Sequence, residues 1–169
     1  NRGLMAAVIG GSDSDGPGVP LGEPVTFVYA REKSLAGIME GLRLGRTFIS
    51  RGPDGPKIYF RASFLKADQS ADEDKPRIGV GGVVPLDTLV QFETVVIGAE
   101  GLKLEIMRDG KPAFVKQIEG ENFRFQWREQ IAFMGSYRAR VVGPPLNLRA
   151  GYGSREVHAM TSPIFLRSV

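Results

Sequence analysis

The sequence contains no cysteine and a single histidine in 169 residues. Without thiols there are no disulfides, no thiolate metal sites and no cysteine nucleophile, and the redox compartment is left undecided. One histidine, His158, cannot build a multi-histidine metal cluster, and any Ser-His-Asp triad would have to use it. Self-contained catalysis is therefore not expected. No run approaches the ~18 consecutive apolar residues of a membrane-spanning helix, so no membrane span is expected. An excess of one charge is also missing: 22 Lys+Arg against 19 Asp+Glu leave a formal +3, a margin that does not indicate nucleic-acid binding. The opening Asn1-Arg2-Gly3 has neither an initiator Met nor a secretory apolar stretch, which reads as a mature product or a fragment.

Glycine, in contrast, is abundant, at 22 residues with 11 prolines, roughly twice the usual glycine share. Apolar residues at 42% and charged residues at 24% fit a folding chain, and the length suits one ordinary domain or two small ones. Many turns and few long helices follow, so the chain is expected to be mainly β.

Leu4 to Ile9, closed by Gly10-Gly11, reads as a short buried strand, and Ser12 to Gly18 as a loop. Val25 to Ala30 is β-branched and aromatic and predicts a strand. Ser34 fits an N-cap, and Leu35, Ile38, Met39 and Leu42 fall on one stripe of a helix over 35–44 that Gly45 stops. A helix so short must pack on a sheet, most simply on strands 25–30 and 46–50, giving a small βαβ-like unit. The dense turn signal Arg51 to Pro56 marks a boundary. Beyond it the period is two: 58–63, 92–97, 123–128 and 137–141 alternate, Asp109-Gly110 joins strands 103–108 and 112–118 as a hairpin, and 164–166 closes the chain. This spacing predicts an immunoglobulin-like β-sandwich. The fold class expected is thus α+β, mainly β, with a boundary between 1–53 and 57–169.

Most chemical signals have a plain structural explanation. Asp68, Asp72, Glu73 and Asp74 lack the EF-hand spacing and read as a solvated loop. Gly79-Val80-Gly81-Gly82 lacks the third glycine of a dinucleotide fingerprint and reads as a bend beside a strand. Gly153-Ser154-Arg155 is no nucleophile elbow, and His158 reads as a surface or satisfied histidine before the last strand. Phe123, Phe125 and Trp127 could stack a sugar, but aromatics at period two more often belong to a core. Arg124, Arg128, Arg138 and Arg140 define either a basic face for a phosphate or acidic partner, or a solvated sheet face. Ser12-Asp13-Ser14-Asp15 places two carboxylates on a glycine-rich loop after an apolar run, a position suited to hard metal ions and equally to Asx-turns.

The order of motifs carries more. Gly10-Gly11-Ser12-Asp13-Ser14-Asp15-Gly16, Leu21-Gly22-Glu23-Pro24-Val25-Thr26-Phe27-Val28-Tyr29-Ala30 and Leu42-Arg43-Leu44-Gly45-Arg46-Thr47-Phe48-Ile49-Ser50-Arg51-Gly52-Pro53 resemble the C-terminal end of a PHP-type metallohydrolase of the CehA/McbA-like branch. Leu86-Asp87-Thr88-Leu89, Met107 to Lys111 and Thr161-Ser162-Pro163-Ile164-Phe165 resemble later elements of the same family. The resemblance implies that 1–53 is the last part of a distorted barrel and 57–169 an accessory immunoglobulin-like domain. It implies Asp13 as a metal ligand, with Asp15, standing where the family has a histidine, as a carboxylate substitute for that ligand. The remaining ligands belong to a barrel that would precede Asn1. The intact parent would then use divalent Zn, Mn or Fe to hydrolyse a phosphoester, ester or related bond, while this chain alone would hold no cofactor and carry no catalytic residue.

Three functions follow as expectations. The first is a non-catalytic C-terminal region of such a hydrolase, partnered by the missing N-terminal barrel. Alone it would form a homo-oligomer, or repack, through the exposed apolar faces of strands 4–9 and 25–30. The second is a β-sandwich binding module that recognises a glycan or protein through loops or through the four arginines. The third is a free-standing enzyme using His158.

Overall fold

The computed structural model describes residues 5–14, 16, 21–146 and 155–168. Among them, in chain order, are β1 (Val25–Val28), α1 (Leu35–Arg43), β2 (Thr47–Ser50), β3 (Lys57–Phe64), β4 (Ile78–Gly79), β5 (Val83–Pro85), β6 (Leu89–Ile97), β7 (Lys103–Arg108), β8 (Lys111–Gln117), β9 (Asn122–Gln130), β10 (Gly135–Leu146), β11 (Arg155–Thr161) and β12 (Ile164–Arg167). The chain is mainly β, as its composition predicts. One sheet has the order β4-β3-β6-β9; the other runs β1-β2-β11-β10-β12-β5, with β7 on the second edge of β10 and β8 beyond it.

Period-two patterning places the core between these sheets. Ile58, Phe60, Ala62 and Phe64 of β3 and Val90, Phe92 and Val96 of β6 are buried against Leu104, Ile106, Ala139, Val141, Ile164 and Leu166 of the larger sheet. Phe123, Phe125 and Trp127 of β9 pack against this cluster from the edge. Trp127 stacks on Phe92 with ring centroids 4.7 Å apart. The Asp109-Gly110 turn forms as expected, both residues at positive φ, the conformation that a two-residue hairpin requires.

The long strand β10 organises the larger sheet. One of its edges pairs with β7 from Tyr137 to Val142. Along the other edge, β12 pairs with residues 135–137 and β11 takes over from Arg140. At the gap between them the Ala139 N–H donates to Thr161 Oγ1 at 3.1 Å. The interruption at Ser162-Pro163 separates two continuations: β11 goes on to β2, whereas β12 goes on to β5 in parallel.

Three expectations for the first fifty residues are corrected. Residues 5–10 form no strand, and Ile9 is 74% exposed. Side-chain hydroxyls rather than a ladder hold this stretch. The Val8 N–H donates to Ser162 Oγ (3.0 Å) and Thr47 Oγ1 donates to the Val8 carbonyl (2.7 Å). Thr26 Oγ1 both accepts from the Gly10 N–H (2.8 Å) and donates to its carbonyl (2.7 Å). Second, β1 and β2 flank α1 in the expected order but pair antiparallel, so the helix is an excursion from a hairpin rather than a parallel crossover. Third, α1 has the predicted N-cap, Gly37 N–H donating to Ser34 Oγ at 3.0 Å, yet its apolar stripe faces outward. Leu35 is 78% exposed, and Ile38 and Met39 are exposed as well. The buried face is Gly37 and Gly41, where a Cβ at Gly41 would lie 2.4 Å from Val28 Cγ1. The helix backbone approaches β1 so closely because it carries no side chain there.

Across the 51–56 turn, β2 pairs with β11 (Ser50↔Ala159, Phe48↔Thr161), which joins the strand–helix–strand unit to the larger sheet through backbone hydrogen bonds. A second tie is the contact of the β4–β5 turn with the end of α1. A Cβ on Gly81, at φ +80°, would fall 2.1 Å from the Leu44 carbonyl oxygen and 2.8 Å from Gly45 C. Gly110, at φ +85°, has nothing within 4 Å of such a Cβ. Gly110→Ala should therefore cost only conformational strain, about 1 kcal/mol. Gly81→Ala should cost about 3 kcal/mol or more, since backbone must move. Urea unfolding of the two variants measures the difference.

Candidate functional site

Asp13 is exposed and in the left-handed conformation (φ +49°), on the loop after the extended N-terminal stretch. Asp15, the second expected ligand, lies outside the described residues. Among the described residues no three His, Cys, Asp or Glu side chains come together in a group able to hold a metal ion. A single exposed carboxylate does not meet the three or so protein ligands of a catalytic divalent ion, so the described residues do not by themselves fit Zn, Mn or Fe.

The four arginines do not share a face. Arg124 and Arg128 lie on β9 in the four-stranded sheet, and Arg138 and Arg140 on β10 in the other. Each pair alternates with residues packed into or against the common core, so the two pairs project from opposite outer surfaces. Arg124 binds Glu93 at 2.8 Å, Arg128 donates to Gln91 (3.0 Å) and Gln69 (3.1 Å), and Arg140 pairs with Glu105 at 2.5 Å. These three are committed to structure. Arg138 differs: among the described residues its guanidinium meets only the Met160 sulfur, at 3.8 Å.

Glu93 is the hub of the first surface. It is 7% exposed on the central strand β6 and takes Arg61 from β3 and Gln126 and Arg124 from β9, with Arg61 Nε at 2.7 Å and Gln126 Nε2 at 2.6 Å. Burial works against its ionisation, but the hydrogen bonds from Arg61 and Gln126 and the charges of Arg61 and Arg124 outweigh it and hold the carboxyl below the usual glutamate range. Sequence reasoning missed this residue, because only the strand register places a lone glutamate between cations of two neighbouring strands.

His158 is buried, 4% exposed, on β11, a strand that sequence reading did not find. Its Nε2 lies 3.0 Å from the Pro144 carbonyl and its Nδ1 3.4 Å from Arg51. The neutral tautomer protonated on Nε2 satisfies both contacts, so the ring is a satisfied core histidine. Trp127 is half-buried, with Phe92, Phe125, Phe114, Phe60 and Tyr137 around it. Beside it Tyr137 Oη donates to Glu129 at 2.8 Å while Arg108 binds Glu129 at 3.1 Å and covers the Tyr137 ring. Burial and the Glu129 carboxylate push the Tyr137 phenol up to about 12, against the opposing effect of Arg108.

An open cleft of about 580 Å³ lies where the β7–β8 turn, the start of β10 and β12 meet, with Asp109, Met134, Ser136, Arg138, Phe165 and Arg167 among its walls. The Asp109 carboxylate is already engaged, accepting from the Ser136 N–H (2.8 Å) and from Arg108 Nε (3.2 Å). The Arg167 guanidinium lies over the Phe165 ring, 5.8 Å from its centroid. These walls, with Ala6 of the N-terminal stretch, come from four separate parts of the chain, and no local motif marks them. No protein-family model matches the chain, and no curated protein matches it.

Glu93 makes stability depend on pH with a definite sign. Its folded value lies below the ordinary glutamate value of 4.5, so its contribution is complete above that value and is lost as pH falls through the lower folded one. Glu93→Gln should cost about 1–2 kcal/mol at pH 7, and the deficit should shrink as both proteins are unfolded at successively lower pH below 4.5. Parallel urea titrations across that range test it.

Proposed function

We propose that this chain is a non-catalytic C-terminal region of a PHP-like metal-dependent hydrolase, with 1–53 closing a catalytic barrel and 57–169 an accessory immunoglobulin-like domain. The observation that carries the reading is where large apolar side chains are exposed. Among the described residues, Met5, Ile9, Leu21, Leu35, Ile38, Met39 and Leu44 are exposed within the first 44 positions, against four such residues in the rest. Exposed apolar side chains are the raw material of a docking face. Four of them, Leu35, Ile38, Met39 and Leu44, lie on α1 or at its end, beside β1, which ends its sheet. The motifs that most specifically resemble the family, over 10–53, overlap the same stretch.

In this reading Asp13 would contribute one oxygen ligand from the exposed loop and the other ligands would come from the parent's barrel, where a bound divalent ion would supply an activated water for a phosphoester or related bond. The apolar face of α1 would be covered by that barrel, and in the isolated chain it would pair with a second copy. The expected contact surface thus lies on the helix and the N-terminal stretch, rather than on β1, where α1 at Gly41 meets Val28 and Gly10 is bonded to Thr26.

Calorimetric titration of the chain and of Asp13→Ala with Mn²⁺, Zn²⁺ and Fe²⁺, with a phosphoesterase assay on the same samples, tests the non-catalytic reading. Neither tight binding nor turnover is expected; Asp13-dependent binding with turnover would overturn it. Sedimentation velocity tests the docking face. The chain should self-associate with rising concentration, and Leu35→Lys combined with Met39→Lys should return it to monomer. Equal association of the two proteins would remove α1 from the interface.

A further inference from the structure

We propose that the cleft between the β7–β8 turn, the start of β10 and β12 binds a small organic oxyanion, a carboxylate or phosphate on an apolar body, with Arg138 as its anchor. This inference is independent of the hydrolase reading, since nothing in it uses Asp13 or the face of α1.

Volume, charge and lining agree. About 580 Å³ falls within the ~300–1,000 Å³ range of small-molecule sites. Arg138 stands in its walls, and Asp109, the carboxylate among the described lining residues, is turned onto the Ser136 N–H and Arg108. The Arg138 guanidinium is therefore the charge that faces a ligand. Arg138 is the group with donors to spare: Arg140, two residues along the same strand, is spent on Glu105, whereas Arg138 meets only a thioether sulfur among the described residues. A guanidinium offers a planar fork of N–H donors that matches the two oxygens of a carboxylate or phosphate. The remaining walls are apolar, with Phe165 and Pro163 inside and Met134, 68% exposed, at the rim. An inorganic ion would leave these surfaces unused; a ligand with an aromatic or aliphatic body would cover them.

The site also has a rigid frame. Ser136 pairs with Phe165 and Tyr137 with Ile164 across β10 and β12, which fixes the Arg138 backbone relative to the apolar wall. On the opposite side Arg108 holds the β9–β10 turn by donating to the Phe133 carbonyl at 3.2 Å.

Titration of the chain at low ionic strength with phenyl phosphate, benzoate and inorganic phosphate, followed by calorimetry, tests the proposal. Saturable one-site binding of phenyl phosphate or benzoate is expected, and comparison of the two identifies the preferred head group. Inorganic phosphate should bind more weakly than phenyl phosphate; equal affinity would overturn the role of the apolar walls. Arg138→Ala should weaken binding about tenfold or more, with partial recovery in Arg138→Lys, while Arg140→Ala should bind within about twofold of the parent chain. Met134→Glu, at an exposed position that leaves the fold intact, should also weaken binding by placing a carboxylate at the rim. Absence of saturation with both aromatic anions, or unchanged affinity in Arg138→Ala or Met134→Glu, would overturn the proposal.

Discussion

Three consecutive residues, Thr161, Ser162 and Pro163, break the pairing along one edge of β10, and the larger sheet is organised by that break. A continuous partner strand would give a single ladder with a single continuation. Proline cannot donate to a ladder, and its interruption lets the chain leave β10 and return as β12. The Ala139 N–H that would be orphaned there is taken up by the Thr161 hydroxyl. The Ser162 N–H donates to the Thr47 carbonyl, and the Pro163 carbonyl accepts from Gly81. Thus the point where the ladder fails is where β2, the β4–β5 turn and the N-terminal stretch are all fastened.

The two surfaces of the molecule solve charge burial differently. On the four-stranded sheet, arginines from two strands converge on one nearly buried glutamate, and the cost of dehydrating that carboxylate is offset by several charge-assisted hydrogen bonds. On the larger sheet the cations are separated. Arg140 has its own glutamate, Arg108 bridges Glu129 and Asp109, and Arg138 faces a cleft. The first surface thus gathers its cations on one carboxylate, while on the second Arg138 stands next to apolar walls.

Elements with clean alternation and one wet face were legible in the sequence, because burial on one side writes a period of two. β3 and β9 fall within a few residues of their expected positions, and β7 and β8 were legible through the Asp109-Gly110 turn between them, which carries its own backbone requirement. β11 was not legible because His158 and Ala159, on opposite faces, are both buried, which erases alternation. β4 and β5 are too short to carry a pattern. The stripe of α1 was periodic as read, but which face turns inward is decided by Gly37 and Gly41, and the absence of a side chain leaves no hydrophobic signal. The four arginines looked equivalent until register assigned three of them partners. The cleft was invisible for the same reason, since its walls lie far apart in sequence.

The N-terminal stretch has a mechanical consequence. Residues 8 and 10 are held by four hydrogen bonds from three hydroxyl groups, and no ladder of backbone pairs runs alongside. A ladder pulled along its length shares the load over many bonds at once, whereas these contacts are discrete points that fail in turn. Force applied at the start of the chain would thus load these bonds one after another, at Val8 through Ser162 and Thr47 and at Gly10 through Thr26, before it pulled on the backbone ladder of β1 and β2.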